Sequence, residues 1–263
     1  MSQPPKFAFS YDDSVVPGSR EATDRVARYL LTLDPNLNID NPLLRFFLAN
    51  QGALMNKWLH YFDVYERHFQ RFRGKPVRML EIGVYHGGSL SMWKDYFGDQ
   101  LQLFGVDINS RAQKFAGAQT QIFIGDQSDP VFLKSLRRDI GQVDIVLDDG
   151  GHACYQQIAS YRELYDMVAP DGVYMVEDVH TSYWDEYGGG LKRADSFLEF
   201  SKQWVDELNS YHVREWQPKQ HSMLARSAHS VSFYDSIVAI EKRPKAPPFA
   251  KMTGRMSFLG MDE

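Results

Sequence analysis

Beyond Pro76 the chain alternates between two kinds of segment. Short apolar runs at 77–84, 102–107, 120–126, 143–149 and 172–178 each have a glycine or an acidic residue at or beside their end. All but the last are followed by a stretch with helical periodicity; the last opens a long loop. Strands that alternate with helices are joined by crossovers, so they lie parallel in one sheet covered on both faces. Near the end, Val231–Tyr234 and Ile237–Glu241 flank Asp235-Ser236, which reads as an antiparallel hairpin. The expected architecture is α/β: a mostly parallel, seven-stranded, Rossmann-like sheet with a C-terminal antiparallel hairpin.

A helical extension precedes this sheet. Residues 1–19 contain Pro4, Pro5, Pro17 and Gly18 and read as an irregular arm. The spacing predicts a helix over 20–33, with Val26, Tyr29, Leu30 and Leu33 on one face. Asn41 and Pro42 suit the N-cap and first position of a second helix. Leu54, Trp58, Tyr61, Tyr65 and Phe69 recur at spacings of three and four, predicting an amphipathic helix from Ala53 to Phe72. The expected division is an arm with helices over 1–52, a catalytic domain over 53–243, and a proline-containing tail over 244–263, either mobile or docked on another subunit.

Composition removes several function classes. A chain of 263 residues, 43% hydrophobic, forms a sizeable core without disulfides. Its one cysteine, Cys154, allows no internal disulfide and no Cys-rich zinc site. A net charge of -5 without a basic stripe argues against nucleic acid and anionic membranes as partners. Met1–Phe9 lacks the pattern of a secretory signal, and no apolar run approaches the roughly 18 residues of a membrane helix. The expected location is cytoplasmic.

The strand ends carry the chemistry. The first strand leads into Glu81-Ile-Gly83-Val-Tyr85-His-Gly87-Gly-Ser89, where glycines allow a sharp turn and close approach to a ligand. This spacing is not the dinucleotide fingerprint, which disfavours a nicotinamide dehydrogenase and fits S-adenosylmethionine, whose binding needs no pyrophosphate seat. Asp107 ends the second strand, where a carboxylate can accept both ribose hydroxyls. Asp126 or Gln127, after the third strand, can meet the adenine amino group; Asp126 also reads as a helix N-cap.

The fourth and fifth strands end in Asp148-Asp149-Gly-Gly-His152 and Glu177-Asp178-Val-His180. Neighbouring strands lie about 4.8 Å apart, so these acids converge, and converging carboxylates call for a cation. Oxygen ligands favour Mg²⁺, with Mn²⁺ or Ca²⁺ as alternatives. The expected ligands are Asp149, Glu177 and Asp178. Asp148 points to the other side of its strand and suits hydrogen bonding to a loop. His152 is the expected general base. Tyr183, Trp184 and Tyr187 precede Gly188-Gly-Gly190 and read either as an aromatic lid over a sugar, closing on a glycine hinge, or as a surface loop.

Taken together, Tyr65-Glu-Arg-His-Phe69, Leu80-Glu-Ile-Gly-Val84, Gly125-Asp-Gln127, Asp148-Asp-Gly-Gly-His152 and Glu177-Asp-Val-His-Thr-Ser-Tyr-Trp184 resemble the metal-dependent class I S-adenosylmethionine sugar O-methyltransferases of macrolide and polysaccharide pathways, of the mycinamicin type, over roughly residues 53–210. The resemblance implies Asp149, Glu177 and Asp178 as Mg²⁺ ligands and His152 as base. It implies Glu81, Gly83, Asp107 and Asp126 near the cofactor, with Lys57 and Tyr61 beside its pocket. Two departures stand out: Gly151 replaces an expected serine, and the large N-terminal domain of the longest members is missing. The implied activity is methyl transfer to a sugar hydroxyl of a small-molecule or glycan acceptor; the arm and tail, each able to reach a partner subunit, make a homo-oligomer the expected state. Competing readings are a catechol-type O-methyltransferase, a non-heme iron hydroxylase using His152, His180 and one carboxylate, and a non-catalytic binding module.

Overall fold

Seven strands form one sheet in the computed structural model, which describes residues 18–214 and 221–255. They are β1 (Val77–Ile82), β2 (Leu101–Asp107), β3 (Thr120–Ile124), β4 (Val143–Asp148), β5 (Val168–Val176), β6 (Ala228–Phe233) and β7 (Val238–Lys242). Their order is β3-β2-β1-β4-β5-β7-β6. The first five run parallel, and β7 pairs antiparallel with both β5 and β6. The chain reverses direction in strand order between β1 and β4, the switch point where ligands bind in open α/β sheets.

Side chains alternate across each strand, and the core divides accordingly. Met79, Leu103, Leu147 and Met175 face one hydrophobic cluster; Leu80, Phe104, Val146 and Tyr174 face the other. The first cluster is covered by α2 (Pro42–Ala49), α3 (Tyr61–Phe69) and α4 (Gly88–Phe97), which follow α1 (Arg20–Leu33) in the chain. The second is covered by α5 (Pro130–Ile140), α6 (Cys154–Leu164), α7 (Phe197–Lys202) and α8 (Trp204–Leu208). Leu43 and Leu44 of α2 join the cluster that holds Met79 and Trp93, so the N-terminal helices share the core of the sheet. Asn41 caps α2 as expected, its side chain accepting from the Leu43 and Leu44 amides.

Three local expectations give way to tertiary contacts. Residues 53–60 are not helical, and α3 starts at Tyr61. The segment instead crosses the start of α4, where a Cβ on Gly88 would lie 2.6 Å from the Ala53 and Leu54 carbonyl oxygens. That path leaves Leu54 and Trp58 at least half exposed and delivers Lys57 to a buried site. α1 buries Ala22, Thr23 and Ala27, while Leu33 is 54% exposed. The small residues form the inner face of α1, and Arg45 of α2 pairs with its Asp24 at 2.6 Å. After β2 the chain makes only a 3₁₀ segment, Ser110–Phe115, in place of a crossover α-helix. The N-terminal arm before residue 18 and the tail beyond 255 lie outside the described residues. Among the described residues, no helix is long and apolar enough to cross a membrane.

Candidate active site

A cleft of about 370 Å³ opens at the carboxyl ends of β1, β2 and β4. Gly83 makes it possible. Its φ is +94°, and a Cβ there would sit 2.0 Å from the Asp149 carbonyl oxygen. The backbone closes tightly around it: Gly83 N–H donates to Val106 O at 2.8 Å, and Asp149 N–H to Ile82 O at 2.9 Å. Asp107 follows β2's last apolar residue and is held by two backbone donors, Tyr85 N–H and Asn109 N–H, both at 2.8 Å. Each carboxylate oxygen keeps a lone pair for a ligand. Asp126 lines the cleft and accepts from Ser128 N–H at 2.7 Å. The N-cap of α5 is Asp129, not Asp126.

Eight of the residues singled out from sequence line this cleft: Gly83, Tyr85, Asp107, Asp126, Gln127, Asp149, His152 and Asp178. Others stand behind it. Glu81 is fully buried on the face of β1 toward Trp93, whose indole N–H donates to it at 3.1 Å. Burial pushes its carboxyl up to about 7, against the opposing pull of Lys57 and the indole. Gly87 caps α4 with φ +78°, pressed against the Phe115 ring, and Ser89 is buried in the first turn of that helix. Asp148 faces away from Asp149, fully buried, accepting from Gln127 Nε2 at 3.0 Å. It therefore braces the loop rather than touching the cleft. Gln127 completes that brace by accepting from Gly151 N–H at 2.6 Å. A Cβ on Gly151 would meet the Gln156 amide at 2.3 Å, so a serine there requires Gln156 to turn aside.

The acids do converge, and they arrive with partners. The Lys57 ammonium, its side chain 3% exposed, donates to Asp149 Oδ2 at 2.5 Å and Glu177 Oε2 at 2.7 Å. Burial alone would lower its pKa, but the two carboxylates outweigh burial and raise it. Tyr65 Oη donates to the other Glu177 oxygen at 2.6 Å, and Tyr61 Oη to Asp178 Oδ1 at 2.5 Å. The sequence marks Tyr65 as a core position and as part of the family-like motif but assigns it no site role; its spacing of four from Tyr61, one turn along the same face, is the signal that pairs the two phenols. Glu177 is fully buried, and burial followed by Asp149 raises its pKa well above the usual range.

His152 stands beside this cluster with its Nε2 3.5 Å from Asp178 Oδ2. Its Nδ1 is buried without a hydrogen-bond partner. Among the described residues, the acid and histidine atoms that approach within 4.8 Å of one another belong to Asp149, His152 and Asp178. Glu177, the third acid expected from sequence, lies beside this group, joined to Asp149 through Lys57 and with its other oxygen bonded by Tyr65. His180 does not join it either. Its Nδ1 turns toward the Ser236 hydroxyl and lies 3.9 Å from Asp178 Oδ1, so the two histidines and a carboxylate do not close into the iron triad of the hydroxylase reading.

The three aromatic residues do not form one lid. Trp184 packs edge-on to His180 at 4.7 Å, and Tyr187 packs on Trp184. Trp58, from the irregular 53–60 segment, meets His180 from another side at 5.9 Å. Tyr183 instead lines a separate cleft. The glycine run is a tight turn rather than an open hinge. Gly190 N–H donates to Ser182 O at 2.8 Å, and a Cβ on Gly189 would sit 2.5 Å from the Ser182 backbone.

Asp149 and Asp178 supply hard oxygen donors, which suit Mg²⁺ or Mn²⁺. The unpartnered His152 nitrogen is a further polar atom awaiting a partner at that place. The residues present thus fit a hard divalent ion beside a nucleoside cleft.

The strand order and the cleft at its switch point define a class I S-adenosylmethionine-dependent methyltransferase fold. The solved MycE methyltransferase of the mycinamycin biosynthetic pathway, in complex with Mg, S-adenosylhomocysteine and mycinamycin VI, superposes with a TM-score of 0.67 at 27% identity, over 86% of this chain and 62% of that one. Within that class the chain is a relative of the sugar O-methyltransferases of tetracenomycin and macrolide pathways. It is 36% identical over 216 residues to 8-demethyl-8-alpha-L-rhamnosyl tetracenomycin-C 2'-O-methyltransferase of Streptomyces olivaceus, covering 78% of this chain and 56% of that protein. It is 35% identical over 241 residues to demethylmacrocin O-methyltransferase of Streptomyces fradiae, covering 88% of this chain and 59% of that one. The chain thus spans little more than half the length of the curated relatives it matches. No family model matches it.

Proposed function

We propose that the chain is an O-methyltransferase that moves a methyl group from S-adenosylmethionine to a sugar hydroxyl of a glycoside. The observation that carries this reading is the convergence of Asp149, His152 and Asp178 in the same cleft as Asp107 and Gly83. Gly83, Tyr85, Asp107, Asp126 and Gln127 would hold the nucleoside part of the cofactor. Asp149 and Asp178 would hold the metal, with Glu177 in the same charge cluster through Lys57. When bound, Mg²⁺ or Mn²⁺ supplies positive charge that acidifies a nearby hydroxyl, and S-adenosylmethionine supplies an electrophilic methyl group.

The chain's own residues do the rest. His152 removes the hydroxyl proton at Nε2, and Asp178 beside it stabilises the imidazolium that results. Tyr61 and Lys57 fix the carboxylates so that the acceptor meets a preset site. Trp184 and Trp58, both exposed, offer ring faces to a sugar. The rhamnosyl and mycinamicin names of the relatives favour a glycoside over a catechol. Exposed Phe249 and Met252 in the tail suit a contact between copies of the chain.

Calorimetry with S-adenosylmethionine, with and without Mg²⁺, followed by labelled methyl transfer to a panel of glycosides, tests the reading. Binding is expected in the cleft, and His152→Ala is expected to keep cofactor affinity while losing about 10²–10⁴ in turnover. Full activity in that variant with the fold intact refutes the role of His152. Iron-dependent turnover without cofactor binding would restore the hydroxylase reading.

A further inference from the structure

The catalytic cleft is lined by one side-chain amide whose nitrogen is unused. Gln127, expected to meet the adenine amino group, has no side-chain atom left for it. Its Nε2 donates to Asp148 Oδ1 at 3.0 Å and to Ser160 Oγ at 3.1 Å, and its Oε1 accepts from Gly151 N–H at 2.6 Å. Gln156, in the first turn of α6, lines the same cleft. Its Oε1 accepts from Ala153 N–H at 3.2 Å, and that donor fixes which end of the amide is oxygen. Nε2 is left with no hydrogen-bond partner among the described residues, on a side chain that borders the cleft.

This amide stands at the end of the cleft formed after β3 and β4. Gly125, Asp126, Gly150 and Gly151 line that end. A Cβ on Gly151 would lie 2.3 Å from Gln156 Oε1 and 2.7 Å from Nε2, so the amide rests directly on bare backbone. Asp126 takes both Ser128 bonds, N–H and Oγ, on Oδ1, which leaves Oδ2 for a ligand. Ile108, apolar and exposed, lines the same cleft and gives a flat ring a surface to lie on. The base of a nucleoside whose ribose is held at Asp107 falls toward Asp126 and Gly151, which Gln127 ties together.

Resting on the methyl-transfer reading, we propose that Gln156 reads the adenine of the cofactor: Nε2 donates to a ring nitrogen flanking the 6-amino group, while Asp126 Oδ2 accepts from that amino group. A donor beside an acceptor matches a 6-aminopurine and mismatches a 6-oxopurine, whose carbonyl would face the Asp126 carboxylate. Gly151 is the other half of this arrangement. Where the resemblance leads one to expect serine, the missing side chain leaves the space that the Gln156 amide fills, so the two positions exchange one polar group for another.

Calorimetric titration of the full chain with S-adenosylhomocysteine, with melting curves alongside, tests this. Gln156→Glu keeps the oxygen that caps Ala153 N–H and deletes the donor. It is expected to bind about tenfold more weakly and to melt with the wild type. Of the 1-deaza and 7-deaza analogues of S-adenosylhomocysteine, the one lacking the recognised nitrogen is expected to bind the wild type about tenfold more weakly than the parent compound, and to bind Gln156→Glu as well as the parent does. Gly151→Ser, which turns the amide aside, is expected to show the same loss, and the double variant no further loss. Unchanged affinity in Gln156→Glu overturns the proposal. So does a loss that comes with a lowered melting temperature, which makes Gln156 only a helix cap, or a deaza penalty of equal size in variant and wild type. Adenosine, titrated in parallel, separates this proposal from the reading it rests on. If adenosine binds with this dependence on Gln156 while S-adenosylhomocysteine does not bind, the methyl-transfer reading fails and the purine site stands. Binding of neither overturns both.

Discussion

Lys57 is the residue whose removal should change the molecule most, in a way that metal reverses. One ammonium, 3% exposed, is shared between Glu177 at 1% and Asp149 at 19%. Replacing it with methionine keeps the length of the side chain and deletes the charge, leaving two close carboxylates with no counter-charge. Breaking a buried pair from one side costs about 3–5 kcal/mol. For a chain of this size each kcal/mol moves the melting temperature by roughly 2–4 °C, so Lys57→Met in EDTA should melt roughly 6–20 °C below the wild type. A divalent ion neutralises the same oxygens, and a ligand at about a hundred times its Kd returns about 2.7 kcal/mol. The variant should therefore gain more from Mg²⁺ than the wild type does, where Lys57 already supplies charge. Calorimetric melts at pH 8, with EDTA or Mg²⁺, measure both quantities. A variant that melts with the wild type in EDTA, or that responds to Mg²⁺ no more than the wild type, refutes the idea that ammonium and metal ion serve one charge cluster.

Gly83→Ala should lose at least about 2 kcal/mol in urea denaturation, because φ of +94° strains any side chain and its Cβ would displace the Asp149 backbone; cofactor affinity, read by calorimetry, should fall with it. Glu81→Gln should flatten the pH dependence of stability. Burial raises the Glu81 carboxyl to about 7 in the folded state, so the stability tied to its proton is full below about pH 4.5 and is lost as pH rises through 7. The wild type should lose up to about 3 kcal/mol more than the variant across that window, and parallel melting curves would contradict the assignment. Tyr65→Phe removes one of the two partners of Glu177 and should cost about 1–3 kcal/mol by leaving a buried oxygen unpaired; a neutral result in chemical denaturation would deny that bond.

The strand ends were legible because two periodicities carry them. Apolar runs locate β1 to β5, and alternation across a strand separates Asp148 from Asp149, which face Gln127 and Lys57 respectively. Local pattern failed where another part of the chain sets the conformation. Leu54, Trp58 and Tyr61 share a helical spacing, yet 53–60 follows the surface of α4 because Lys57 enters the acid cluster. The same lysine also engages one oxygen of Glu177, while Tyr65 takes the other. Neither fact has a signature in composition or spacing, since each depends on residues 92 and 120 positions apart. The aromatic trio could not be divided from sequence either, because Tyr183 and Trp184 are neighbours, yet Tyr183 lines a cleft while Trp184 packs against His180.

Five non-glycine residues among those described adopt positive φ: Tyr85, His152, Asp178, Lys192 and Ser236. Such residues cost about 1–3 kcal/mol each and persist only where the surroundings enforce them. Tyr85, His152 and Asp178 line the catalytic cleft, and Ser236 lines the separate cleft that holds Tyr183. Each is held by a specific bond: Tyr85 N–H donates to Asp107, the His152 carbonyl accepts from Thr181 Oγ1 at 2.7 Å, and the Ser236 hydroxyl meets His180 Nδ1. Asp178 is held through its side chain by Tyr61. A fold selected for stability alone would place glycine at these positions, which relieves the strain without disturbing the sheet. Keeping aspartate and histidine there makes sense when their side chains are needed at that angle, with the carboxylate and the imidazole both directed into the space where proton transfer is proposed.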